Sequence, residues 1–228
     1  MNPGVGQYSL CLEIMRRLDR AGMLEKIVLV GSWCTYFYRE SSAQQRILAT
    51  LRTDDVDFLV PRPLRTDIRI NVPAMFSDLG FIIKRNMEGL AKLEHADLSI
   101  EFLVPERGRG SAAPYFVECL GISAQPLRFL DFLLEETITV KAKGVTLRMP
   151  HPHRFGLHKL IVSERRTNKS KAANDREQGM DILREAISSG ESGKVKKLFG
   201  SLPKGWRSTI LKALRKSSDT DQLTELFT

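Results

Sequence analysis

Pro150 and Pro152, one residue apart, divide the chain into two stretches of different periodicity. Proline removes a backbone donor and fixes φ, so a closely spaced pair stops any strand or helix running into it. Upstream, apolar residues come in short runs or alternate with polar ones, the mark of β-strands, with helical spacing between them. Downstream, every apolar pattern has the helical period, over 153–165, 171–188, 192–199, 203–216 and a last piece near 221–227. Gly190, Gly193 and Ser201-Leu202-Pro203 punctuate those helices. The expectation is an α+β chain: a mixed-sheet domain over residues 1–150 and an all-helical domain over 151–228.

Within the first stretch, Leu10, Ile14 and Leu18 recur at helical spacing, and Gly22 suits a C-terminal cap, which predicts a helix over 9–22. Residues 27–31 form a short apolar run ending in glycine, a buried strand, and 32–43 the helix after it. A second strand covers 55–60 and stops before Pro61 and Pro63. A helix is expected over 66–79, antiparallel strands over 80–85, 90–94 and 98–104, loops over 44–54 and 105–114, and a hairpin over 137–149 turning at Lys143-Gly144. Internal repeats and low-complexity tracts are absent from the sequence.

Composition bounds the function classes. The 228 residues are 42% hydrophobic and 27% charged, enough to bury a core without staples. No apolar run nears the roughly 18 residues that would span a bilayer. The N-terminus lacks the basic-then-apolar order of a signal peptide. Three cysteines, Cys11, Cys34 and Cys119, are too few for a disulfide framework or a closed zinc site, so a reducing, cytoplasmic setting is expected. The net charge of +8 is uneven: residues 1–150 carry 19 Lys/Arg against 18 Asp/Glu, and residues 151–228 carry 16 against 9. That basic third attracts phosphates, in a nucleotide or a nucleic acid; a merely solubilising surface is the alternative.

The strand over 55–60 carries the most chemistry. Residues two apart share a strand face, so Asp55 and Asp57 point one way while Val56, Phe58 and Val60 point the other. Adjacent carboxylates repel unless a cation sits between them. Mg²⁺ suits such a pair, because it takes one or two carboxylates plus substrate phosphates. A solvated acidic strand end is the competing reading. One loop earlier, Val28-Leu29-Val30-Gly31-Ser32 reads as strand, Gly-Ser, helix. Glycine admits a ligand close to the backbone, and a helix N-terminus presents free N–H groups to phosphate.

Taken together, these residues resemble the DNA polymerase β-like nucleotidyltransferase superfamily. Its pattern is a strand, Gly-Ser, a helix, then a strand bearing two alternating aspartates. Here that is Gly31-Ser32 followed by Asp55-Val56-Asp57-Phe58, with Glu101 of Ser99-Ile100-Glu101-Phe102 at the place of a third acid. The interval between Ser32 and Asp55 is longer than in many members. The resemblance implies nucleotidyl transfer in the first domain, with Asp55 and Asp57 holding Mg²⁺ on the nucleotide phosphates. Two ions would support an in-line displacement. It further implies that Gly31 and Ser32 hold the β- and γ-phosphates, and that Glu101 is a metal ligand or general base.

A narrower resemblance continues into the helical stretch. The helix over 153–165 is apolar on several sides, and Lys159 falls beside Phe155 and Val162, where it must snorkel or meet an anion. Asp175 flanks the next helix. This lysine-then-aspartate order looks like the AbiEii and MenT type of nucleotidyltransferase, although Asn174 stands where a lysine usually precedes the aspartate. It implies that Lys159 binds nucleotide phosphates and that Asp175 completes the site. The resemblance spans about residues 25–185. It also implies an RNA acceptor such as a tRNA 3′ end, in keeping with the basic third, and a neutralising protein partner.

Other features carry less. His151, His153 and His158 lack a completing zinc set. Cys34 has no identifiable histidine partner, Trp33 and Tyr36 suit a core, and Gly108-Arg109-Gly110 lacks a dinucleotide-loop context. Lys194, Lys196, Lys197, Lys212, Arg215 and Lys216 suit a polynucleotide backbone or a solvated helix face equally. Two alternatives stand beside an RNA-directed nucleotidyltransferase: a non-catalytic nucleotide- or RNA-binding module on the same fold, and a transferase acting on a small molecule or protein.

Overall fold

A computed structural model describes residues 5–41, 53–106, 113–216 and 222–227. The chain forms two compact units, Met1–Pro150 and His151–Thr228. The first is α/β with a mixed sheet and the second is helical, so the α+β class holds.

The first unit opens with α1 (Val5–Arg20), which buries Cys11, Ile14, Met15 and Leu18. Gly22 ends it at φ +68, with Gly22 N–H donating to Asp19 O and Met23 N–H to Leu18 O, the paired bonds of a Schellman cap. The helix starts at Val5, four residues before the expected start at residue 9. Its first turns are held by tertiary contacts: the Gln7 amide donates to Asp97 O at 2.7 Å, and Tyr8 stacks on Trp33.

Next come β1 (Val28–Val30), α2 (Ser32–Ser41) and β2 (Asp55–Leu59). Residues 44–52 of the expected loop lie outside the described residues. The helix expected over 66–79 is a correction. Ile70 N–H donates to Cys119 O and Val72 N–H to Leu120 O, which holds 70–72 against another segment. Helix α3 (Val72–Phe76) begins only where Asn71 caps the N–H of Ala74.

The strands β3 (Ile82–Arg85), β4 (Ala91–Glu94) and β5 (Ser99–Pro105) follow as expected. Residues 107–112 of the next loop, with Gly108-Arg109-Gly110, lie outside the described residues. Beyond them are β6 (Tyr115–Val117), β7 (Ile122–Leu127) and α4 (Leu130–Leu134), which the sequence reading leaves unassigned. The hairpin is β8 (Thr137–Ala142) and β9 (Val145–Pro150).

The main sheet runs β1-β2-β5-β4-β3, with β7 also on β5 and β6 on β7. β2 and β7 lie parallel to β5, and the other pairings are antiparallel. One edge of β5 pairs with β2 from Ser99 to Leu103. The other edge is shared: β4 pairs with Ser99 and Ile100, and β7 takes over at Leu103. The sheet therefore forks at Glu101 and Phe102. Val56, Phe58, Ile100 and Phe102 are buried, with the two phenyl rings stacked 5.7 Å apart.

The second unit contains α5 (Pro152–Ser163), α6 (Lys169–Ser188), α7 (Ser192–Ser201), α8 (Lys204–Leu214) and α9 (Gln222–Phe227). Proline in the first turn of α5, behind His151 as N-cap, starts that helix where β9 stops. α5 and α6 meet through two glycines. A Cβ on Gly179 would lie 2.8 Å from Gly156 O, and one on Gly156 would lie 2.8 Å from Leu183 Cγ.

Candidate active site

The antiparallel ladder of β1 and β2 sets Val30 opposite Asp57, so the chain leaves β1 at Gly31 beside the Asp57 side chain. Gly31 takes φ +76, and a Cβ there would lie 2.1 Å from Asp57 Oδ2. Only glycine combines the left-handed backbone with room for that carboxylate. Ser32 follows as the first residue of α2.

The parallel ladder of β2 and β5 sets Asp55 opposite Ser99 and Asp57 opposite Glu101. Side chains alternate along a strand, so Asp55, Asp57, Ser99 and Glu101 share one face. Asp55 and Glu101 are about one-third exposed. The strand geometry thus brings together Gly31, Asp55, Asp57 and Glu101, all singled out by sequence.

Lys92 joins them unannounced. Its Nζ donates to Asp55 Oδ1 at 2.6 Å and lies 2.6 Å from Glu101 Oε1. The Ser99 hydroxyl also donates to Asp55 Oδ1. Partial burial pulls the Lys92 ammonium down, yet Asp55 and Glu101 together outweigh it and raise the amine above its ordinary range, so it stays charged. A sequence signal existed. Residues 91–94 alternate Ala-Lys-Leu-Glu, and a tight turn to β5 with Leu93 opposite Ile100 carries Lys92 to Glu101. Pairing the strands in register finds it, whereas reading each alone does not.

Lys92 and Glu101 also line a pocket of about 290 Å³ at the sheet fork, with Lys84, Asn86, Glu94 and Gln125 around it. Lys84 there pairs with Glu94.

Lys159 and Asp175 are brought to each other inside the helical unit. Lys159 Nζ donates to Asp175 Oδ1 at 2.6 Å, and Arg166 Nε donates to Oδ2 at 2.8 Å. Both members of the first pair are buried, while the Arg166 side chain is 44% exposed. Burial pushes the Asp175 carboxyl up, but the Lys159 ammonium and Arg166 guanidinium together hold it below the usual carboxylate range. Arg166 was not anticipated; no periodicity marks it. Of the histidines, buried His153 pairs with Glu191 at 2.8 Å and His151 caps α5.

Among the described residues, no three His, Cys, Asp or Glu side chains converge as ligands of one ion. The carboxylate face nonetheless suits a hard divalent cation: its donors are all oxygens, and it already gathers a cation in the Lys92 ammonium.

A family model for nucleotidyltransferases matches residues 10–189. The chain belongs to the nucleotidyltransferase family. It is therefore an enzyme of nucleotidyl transfer, using a nucleoside triphosphate as donor. Among solved structures, this nucleotidyltransferase is similar to ANT(2")-Ia in complex with adenylyl-2"-tobramycin, at 13% identity over 91% of this chain and 98% of that one, TM-score 0.47. It is also similar to an antigenic nucleotidyltransferase-like protein from Paracoccidioides brasiliensis, at 12% identity over 97% of this chain and 91% of that one, TM-score 0.48. Comparison with curated proteins returns no match.

Proposed function

We propose that this nucleotidyltransferase moves a nucleoside monophosphate from an NTP to a hydroxyl of RNA, releasing pyrophosphate, on the carboxylate face of β2 and β5. The observation that supports it most directly is the close approach of Gly31 to Asp57, which joins the phosphate-type turn to the acid pair in one site.

In this reading Asp55 and Asp57 would hold Mg²⁺, which would supply positive charge against the phosphates. Gly31 lets the triphosphate approach the backbone, and Ser32 with the first amides of α2 receives the β- and γ-phosphates, where orphan N–H groups and the helix dipole favour anions. Glu101 faces the fork pocket and takes the proton of the attacking hydroxyl. The pocket is at the small end of ligand sites, so it admits one terminal group rather than a duplex.

Lys159, Asp175 and Arg166 enter as one cluster of net charge +1. A phosphate arriving there meets the exposed guanidinium first, with Lys159 adding its charge from beneath. The lysine-then-aspartate order resembles that of AbiEii- and MenT-type members, and the excess of basic residues over 151–228 favours RNA, such as a tRNA 3′ end, over a cationic acceptor. A neutralising partner protein belongs to the same reading.

The test supplies each α-labelled NTP with Mg²⁺ to total cellular RNA, protein and small-molecule pools, using Asp57→Ala as control. Label is expected in RNA from one or two of the nucleotides, and is expected to fall at least a hundredfold in a variant that keeps the wild-type circular dichroism. Label in protein or small molecules would reassign the acceptor. Undiminished transfer by the folded variant would remove Asp57 from the site.

A further inference from the structure

The third acid of the face is not an open ligand position. Lys92 sits with its ammonium 2.6 Å from both Asp55 Oδ1 and Glu101 Oε1, as close as a hydrogen-bonded cation comes. Ser99 adds a hydroxyl to the same oxygen of Asp55. Any ion bridging Asp55 and Glu101 would need to displace this ammonium or lie against it, charge against charge.

The backbone fixes Lys92 in place, since the β4–β5 ladder next to it pairs Leu93 with Ile100, which sets Lys92 level with Glu101.

We propose that Lys92 is a built-in cation that takes the place of a second divalent ion, so that the site binds one ion per chain, at Asp55 and Asp57. Lys92 is here a positioning residue: it fixes the carboxylates of Asp55 and Glu101 and denies the position between them to metal. The inference rests on the reading of Asp55 and Asp57 as the ion-holding pair.

The experiment counts Mn²⁺ bound to the full chain without nucleotide, from the paramagnetic resonance of the free ion during titration. Wild type is expected to bind one Mn²⁺, Lys92→Met two, and Lys92→Arg one, because arginine restores a cation at the same place. A merely structural lysine would not change the count. Two ions on the wild type would overturn the proposal without any variant. One ion on both wild type and folded Lys92→Met would also overturn it, while leaving the nucleotidyl-transfer reading intact. No ion on the wild type would overturn this proposal together with the metal role of Asp55 and Asp57.

Discussion

His158 is buried on α5, and its Nε2 has no hydrogen-bond partner among the described residues. Burial first, and the neighbouring Lys159 ammonium second, push its pKa down from 6.5 to about 3. The folded protein therefore holds this imidazole neutral across the physiological range, while the unfolded chain protonates it near pH 6.5. Stability is full above the unfolded value and declines as pH falls from 6.5 toward 3, because the unfolded state takes up the proton. Between pH 7 and 5.5 the loss through this one residue is about 1 kcal/mol. Urea midpoints measured at the two pH values would register it, and the pH-dependent part should shrink in His158→Gln. An unchanged slope in that variant would assign the acid sensitivity elsewhere.

At the scale of elements, the contact of α5 with α6 depends on having no side chain at two points. A Cβ on Gly179 would lie 2.8 Å from Gly156 O and 3.0 Å from Lys159 Cβ, so the helices would have to part. Gly179→Ala is expected to destabilise by about 1–3 kcal/mol. Gly200→Ala on α7, where nothing lies within 4 Å, should be neutral or stabilising by up to about 1 kcal/mol. Thermal midpoints of the two variants separate close packing from helix propensity, and equal shifts would refute the contact. The same scale shows what the sequence disclosed. The second-unit helices and the strands β2, β4 and β5 were legible, because each buries apolar residues of its own; β3 showed through its alternation and short turn to β4, although all four of its residues are exposed. Residues 66–71 were misread because backbone bonds from 70 and 72 to 119 and 120 override a local helical pattern. At the site, Gly31, Asp55, Asp57 and Glu101 stood out through a local pattern. Lys92 did not, since its partners are 37 and 9 residues away and only strand register unites them.

For the whole molecule, the distribution of charge governs what the proposed RNA acceptor would feel. Residues 151–228 carry 16 Lys/Arg against 9 Asp/Glu. Some of these cations are engaged internally, as Lys212 and Lys216 are with Glu164, yet a net excess remains. If binding recruits three or more phosphates, the logarithm of the affinity should fall with the logarithm of salt at a slope steeper than about −2, at roughly 0.7 per phosphate of a single strand. Fluorescence anisotropy with a labelled RNA between low and physiological salt measures it, and a flat response would argue against a polynucleotide acceptor. The fork in the sheet has a mechanical side as well. The spacing of Asp57 and Glu101 is set by the ladder of β2 on β5, continuous over five residue pairs. The pocket opens on the opposite edge of β5, where β4 and β7 share that edge between them. Gauge and jaw are thus separate parts: in the proposed reading, a change in the β4 or β7 wall would alter what the pocket admits while the ladder that spaces the acids stays as it is.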